Sequence, residues 1–129
     1  MHKEIIICTF IIVSVVIVNT IAQNYTKKSV EVMDEKLDDL EAVLEKDEPD
    51  EEESKEKMDE VMTTWKERYE ILAFFIEHDE LEKVETELTD LKAQISVQQY
   101  EEAVSNLEKS IFILNHIKEK FRLNMKNIF

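Results

Sequence analysis

Residues 58–95 read MDEVMTTWKERYEILAFFIEHDELEKVETELTDLKAQI, and the fold turns on this stretch. Met58, Val61, Trp65, Tyr69, Leu72 and Ile76 recur at three- and four-residue steps, so a helix gathers them on one face. After a break at His78-Asp79, Leu81, Val84, Leu88, Leu91 and Ile95 step 3-4-3-4, the spacing of a seam that packs on another helix. The stretch therefore predicts two helices running back to back, with Trp65, the only Trp, in the middle of the first seam.

Composition supports an all-α chain. There are 129 residues, no Gly and a single Pro, Pro49. Strand-rich and dinucleotide-binding folds rely on Gly at positive-φ turns and phosphate loops, so the glycine-dependent nucleotide motifs are excluded. A net charge of −14 argues against nucleic acid as a partner, because neutralising phosphates needs clustered Lys and Arg. The only Cys, Cys8, leaves no intrachain disulfide and no thiolate metal site within the chain.

Upstream of the hairpin, residues 5–22, from Ile5 to Ala22, carry no charge and only Thr9, Ser14, Asn19 and Thr20 as polar side chains. As a helix they span roughly 27 Å, close to the hydrocarbon thickness of a bilayer. The expectation is an uncleaved membrane span. The competing reading is a secretory signal removed near Ala22, after Thr20-Ile21-Ala22, which would leave a secreted helical protein. Lys3 and the α-amine oppose Glu4 on one flank and Lys27 and Lys28 stand on the other, so the positive-inside count is close. The short segment before the apolar run favours an inside N-terminus with the acidic part outside.

Helical spacing resumes at Val30, Met33, Leu37, Leu40 and Leu44. The run Asp47-Glu48-Pro49-Asp50-Glu51-Glu52-Glu53 then reads as a solvated connector, with Pro49 and its acids suited to a helix start. Downstream of the hairpin, Val97-Gln98-Gln99 makes a short turn. Ala103, Val104, Leu107, Ile111, Leu114, Ile117 and Phe121 form a last seam. The expected organisation is a membrane anchor over residues 1–23 and a first bundle helix over 24–46, continuous with it or not. An acidic connector over 47–57, a helical hairpin bundle over 58–122 and a basic-apolar tail over 123–129 complete it. The fold class is thus an N-terminal transmembrane helix followed by an antiparallel bundle of three to four helices. The expected structural core comprises Trp65, Leu72, Ile76, Leu81, Leu88, Leu91, Leu107, Ile111 and Leu114.

Alternating helix directions return the tail to the membrane side. Residues 29–117 carry 9 basic and 28 acidic side chains, whereas residues 118–129 have Lys118, Lys120, Arg122 and Lys126 against Glu119 alone. An anionic surface would attract that end and repel the other.

The ionisable candidates are His78 and His116, with Asp79 and Glu80 beside the first. Asp79 followed by Glu82 has the pattern of an N-cap with its capping-box partner. His78 then closes the preceding helix, and His116 plays the same part near the end of the last one. The sharper reading is a cluster of His78, Asp79, Glu80 and His116 at one end of the bundle, holding a metal ion or moving protons. The motifs that would carry such chemistry, among them the His-Glu-x-x-His zincin pattern and Gly-x-Ser-x-Gly, do not occur. No catalytic role and no cofactor are expected.

Trp65, the block Phe75-Ile76-Glu77-His78-Asp79-Glu80-Leu81, Leu91-Lys92, Ala103, His116-Ile117 and Asn127-Ile128-Phe129 resemble domain-of-unknown-function family 4363. These are small proteins of anaerobic spore-forming Gram-positive bacteria with one N-terminal membrane span. The likeness covers essentially the whole chain; the acidic connector at 46–57 is longer than the turn expected there. The resemblance implies an anchored helical domain and supplies no reaction or ligand. The expected function is an interaction or accessory module of the bacterial envelope, with the helical domain extracytoplasmic. Its partners would be membrane lipid through the span and another envelope protein. The alternative from another class is a small metal-dependent sensor or enzyme using His78 and His116.

Overall fold

The computed structural model describes residues 1–128, and these form four helices with no strand among the described residues: α1 (His2–Leu44), α2 (Glu51–Leu72), α3 (His78–Ser96) and α4 (Tyr100–Ile128). Each helix packs against its neighbours in chain order and α4 closes the ring on α1, so α1 faces α3, and α2 faces α4, across a shared core. The chain is an antiparallel helical bundle with a long N-terminal helix.

That helix has two halves. From residue 2 to residue 21 nearly every side chain is exposed, including Ile5, Phe10, Ile12 and Val18. From Ala22 onward one face is buried: Ala22, Thr26, Ser29, Val30, Met33, Leu37, Leu40, Val43 and Leu44. No Gly or Pro interrupts α1, and its Thr9, Thr20 and Thr26 hydroxyls each donate 2.8 Å hydrogen bonds to the carbonyl four residues back. Its first half is long and apolar enough to cross a membrane.

Helix α2 begins earlier than expected. Pro49 and the extended Asp50 (φ −74, ψ 127) stop the chain after α1, and the Asp50 carboxylate accepts from the Glu53 N–H at 2.7 Å. Glu51, Glu52 and Glu53 follow in the first turn, where negative charge meets the positive end of the helix dipole. The acidic connector placed at 47–57 is therefore confined to residues 45–50, and its remainder is helix.

The break before α3 also moves. Helix α2 ends at Leu72, residues 73–77 are irregular, and His78 is the first residue of α3 rather than the last of α2. Glu77 is the N-cap, without a side-chain cap bond, so Asp79 is not the cap and lies in the first turn. The cause lies in Phe75 and Ile76. Ile76 is buried and Phe75 packs on Tyr25 and Phe121 from other helices, so the chain must leave the helix before reaching them. At the α3–α4 turn the Gln99 N–H donates to the Gln94 carbonyl at 2.9 Å and the Gln98 N–H to Ile95 at 3.1 Å. Gln98 takes φ 60, the left-handed position that Gly usually fills in this helix stop.

Trp65, Leu72, Ile76, Leu81, Leu88, Leu91, Leu107 and Leu114 are buried in the core. Ile111 is instead half-buried at its edge, because the neighbouring Ser110 occupies the inward position and returns its hydroxyl hydrogen to the Asn106 carbonyl at 2.9 Å. The tail expected at 123–129 is not a separate element: α4 continues through it to Ile128. Phe129 lies outside the described residues.

Trp65 is 1 % exposed and stacks edge-on against Tyr69, with ring centroids 5.8 Å apart. Trp65→Ala is expected to cost roughly 3–5 kcal/mol in urea unfolding of the full chain in detergent, and the exposed Phe112→Ala less than about 0.5 kcal/mol. Equal effects would contradict this packing.

Candidate functional site

Aromatic side chains meet at the end of the bundle where the apolar half of α1 emerges. Tyr25 on α1 sits just past the point at which that helix becomes one-sided. Its ring meets Phe75 edge-on at 6.1 Å and carries the Arg68 guanidinium over its face at 5.2 Å. Phe75 in turn packs on Phe121 of α4 at 5.8 Å. Three elements distant in sequence are thus pinned at one corner by aromatic contact.

Beside this corner lies an ionic cluster. Glu80, in the first turn of α3, has a side chain only 11 % exposed. Its carboxylate accepts from Lys120 at 3.3 Å and Lys83 at 3.4 Å, and Lys120 also reaches Glu77 at 3.8 Å. Burial pushes the Glu80 carboxyl up, but the hydrogen bonds and charges of Lys120 and Lys83 outweigh it and hold it below the ordinary carboxylate value. An open cavity of about 190 Å³ lies here, walled by Phe75, Ile76, Ile117 and Phe121 and also lined by Glu80 and Lys120.

A second carboxylate, part-buried, behaves oppositely. Asp34, midway along the packed half of α1, accepts from Asn115 of α4 at 2.9 Å through one oxygen, while the other is buried without a partner. Burial raises its carboxyl above the usual value, with the neighbouring Asp38 and Glu31 adding to the rise against Asn115 and Lys118.

The two histidines do not meet. The His78 side chain is 75 % exposed, with Nε2 4.0 Å from the Glu82 carboxylate. His116 is exposed on α4, four residues from the exposed Phe112 and one short of the buried Ile117. His78 starts α3 at the end from which the apolar half of α1 emerges, whereas His116 follows Asn115, which bonds to Asp34 midway along the packed half of α1, so the cluster of His78, Asp79, Glu80 and His116 is not assembled. Glu80 turns to its lysines, Asp79 is exposed, and the depression lined by His78 involves Glu82, Glu85 and Asp90 rather than His116. Among the described residues no three His, Cys, Asp or Glu side chains converge as metal ligands.

Sequence reasoning missed the Glu80–Lys120 pair and the stacking of Arg68 on Tyr25. One signal was present. Glu80 precedes the seam residue Leu81 and Lys120 precedes the seam residue Phe121, so an antiparallel register brings the two charges to the same level. What this corner can do chemically is hold helices in register and bind. Glu77, Glu80, Lys83 and Lys120 pair with one another, and the cavity combines an apolar wall of Phe75, Ile76, Ile117 and Phe121 with the charges of Glu77, Glu80 and Lys120.

Residues 20–128 match the family described as Domain of unknown function (DUF4363), and the chain belongs to that family. No curated protein and no solved structure matches it.

Two outcomes are expected. Glu80→Gln should lower stability by about 1 kcal/mol at pH 7, since its lysine partners are themselves part-exposed. The folded-state value lies below the ordinary one, so the contribution is complete above the ordinary carboxylate range and is lost as pH falls through the lowered value. The gap between the two proteins, read by urea unfolding from pH 7 downward, should therefore stay constant above the ordinary carboxylate range and narrow as the pH falls below it. The purified chain should hold no stoichiometric zinc, and His78→Ala and His116→Ala should each cost no more than about 0.5 kcal/mol. Zinc bound one-to-one and lost in both variants would establish a metal site there.

Proposed function

We propose that this member of the DUF4363 family is a single-pass membrane protein whose helical bundle serves as a non-catalytic interaction or accessory module of the bacterial cell envelope. The observation that carries the reading is the course of α1. Its exposed apolar half, residues 5–21, passes without a break into a half that supplies one wall of the bundle core. An exposed apolar cylinder of this length is costly in water and stable in a bilayer, where a helix satisfies all its own backbone hydrogen bonds.

The same course weighs against the secreted alternative. Ala22 is 5 % exposed and belongs to the core cluster, and the residues on both sides of it are helical. Removing residues 1–22 would take the Ala22 side chain out of the core and leave the packed half of α1 to begin at Gln23. The interaction role draws on the fact that the charged groups of the aromatic corner satisfy one another, leaving a scaffold with acidic outer faces. Residues 29–117 carry 28 acidic and 9 basic side chains. Such a surface selects partners by charge and stays soluble against an anionic envelope. On this proposal the bundle lies on the extracytoplasmic side and its partner is another envelope protein.

The chain should sediment with membranes and resist carbonate extraction, with its N-terminal residues intact by mass spectrometry. Protease added outside spheroplasts should remove the bundle. A soluble product starting at Gln23 would overturn the anchoring. Protection of the bundle in spheroplasts, with cleavage only after lysis, would reverse its sidedness.

A further inference from the structure

The end of the bundle from which the apolar half of α1 emerges carries an unexplained apolar side chain. Phe74, in the turn between α2 and α3, is 87 % exposed, while the adjacent Phe75 is packed inward against Tyr25 and Phe121. That contact fixes the turn at the level of Tyr25, three residues beyond the end of the apolar run.

The register of α4 brings its end to the same level. Asn115 bonds to Asp34, and Glu108 lies close enough to Glu41 to repel its charge. Both pairings give one antiparallel register. Continued along the helices, it brings Arg122 level with Lys27 and Lys126 level with Gln23. Lys27, Lys28, Arg122 and Lys126 are exposed, as is Leu123 at 51 %.

Charge is divided along the bundle. Residues 23–31, 66–83 and 117–128, which make up this end, hold nine basic and eight acidic side chains. Residues 32–65 and 84–116 hold six and twenty-one. An anionic surface therefore repels the body of the bundle and admits only this end. Six of its nine basic side chains stand on α1, at the foot of the emerging span, and on the adjacent α4.

We propose that this end of the bundle is a second lipid contact. Phe74 enters the interfacial layer of the bilayer that α1 crosses, and Lys27, Lys28, Arg122 and Lys126 engage anionic phospholipid headgroups around the span. The inference rests on the membrane anchoring proposed above. The aromatic ring suits the layer between headgroups and acyl chains, and the flanking cations suit the phosphates beside it. The bundle is thereby seated upright on the surface rather than swinging from it.

The test uses the full chain reconstituted in vesicles with and without phosphatidylglycerol. Single nitroxide labels at Val13→Cys, Phe74→Cys and Val97→Cys are placed in a Cys8→Ser background, and their collisions with oxygen and with an aqueous nickel chelate are compared. With phosphatidylglycerol present, the label at 74 should favour oxygen, as the label at 13 does. The label at 97, at the opposite turn, should favour nickel. Replacing Lys27, Lys28, Arg122 and Lys126 together by Gln should return the label at 74 to the aqueous pattern while leaving that at 13 unchanged. A label at 74 as accessible to nickel as that at 97 overturns the lipid contact alone. Burial at 74 that is equal in neutral vesicles overturns the role of the cations. A label at 13 open to nickel overturns the anchoring and the contact with it.

Discussion

One helix here has to satisfy two surroundings. Along residues 5–21 α1 carries no charge and is largely apolar around its circumference; from Ala22 it is apolar on one face only. The backbone runs through the change with its hydrogen bonds closed internally. The other three helices exist to cover the single buried face of the second half. Their antiparallel course follows from that: each short turn reverses the chain, and each reversal returns a seam to the same core. The corner made by Tyr25, Phe75 and Phe121 sits where the change occurs, joining α1, the α2–α3 turn and α4 at the level where the core begins.

Apolar seams hold the helices together but specify their register weakly, since Leu can exchange for Leu one turn along. Polar pairs between helices supply the distinction. Asn115 to Asp34, Asn106 to Glu87 and Lys120 to Glu80 each span two helices, and a one-turn slip would leave a part-buried polar group unpaired. They carry unequal costs. Glu80 sits with two lysines that favour its charge. Asp34 has an amide and several acids around it and is held in a state that disfavours its charge.

Much of this was legible in the sequence because packing in a helical bundle repeats. Leu81, Val84, Leu88, Leu91 and Ile95 are all buried, as the 3-4-3-4 spacing requires. Trp65 was legible for the same reason. The errors fell where a contact distant in sequence overrode the local pattern. The spacing of Leu72 and Ile76 reads as one more helical turn, yet the aromatic corner draws Phe75 and Ile76 out of helix. Asp79 and Glu82 look like a cap and its partner, but the start of α3 is set by where that turn ends. Ile111 reads as a seam position, and Ser110 takes it, because α4 meets both α1 and α3 and its inward face is wider than one stripe. The acids at 51–57 read as loop by charge, while the dipole of α2 makes the first of them favourable in helix. His78 and His116 read as neighbours at one end, but the pairing of Asn115 with Asp34 leaves His116 near the middle of the bundle. Their faces around the helix were not resolved by counting residues.

The unbroken course of α1 has a mechanical consequence. With neither Gly nor Pro between the exposed and packed halves, a single stiff rod links whatever surrounds residues 5–22 to the core. Tilt and rotation of the first half are then tilt and rotation of the whole bundle. The packed half of α1 runs roughly 34 Å, so a tilt of about 20° would carry the acidic turn around Pro49 sideways by about 12 Å. With residues 5–21 in a bilayer, as proposed, its thickness would thereby set where that turn stands above the surface, making the chain a lever whose reach is adjusted by the lipid around its foot.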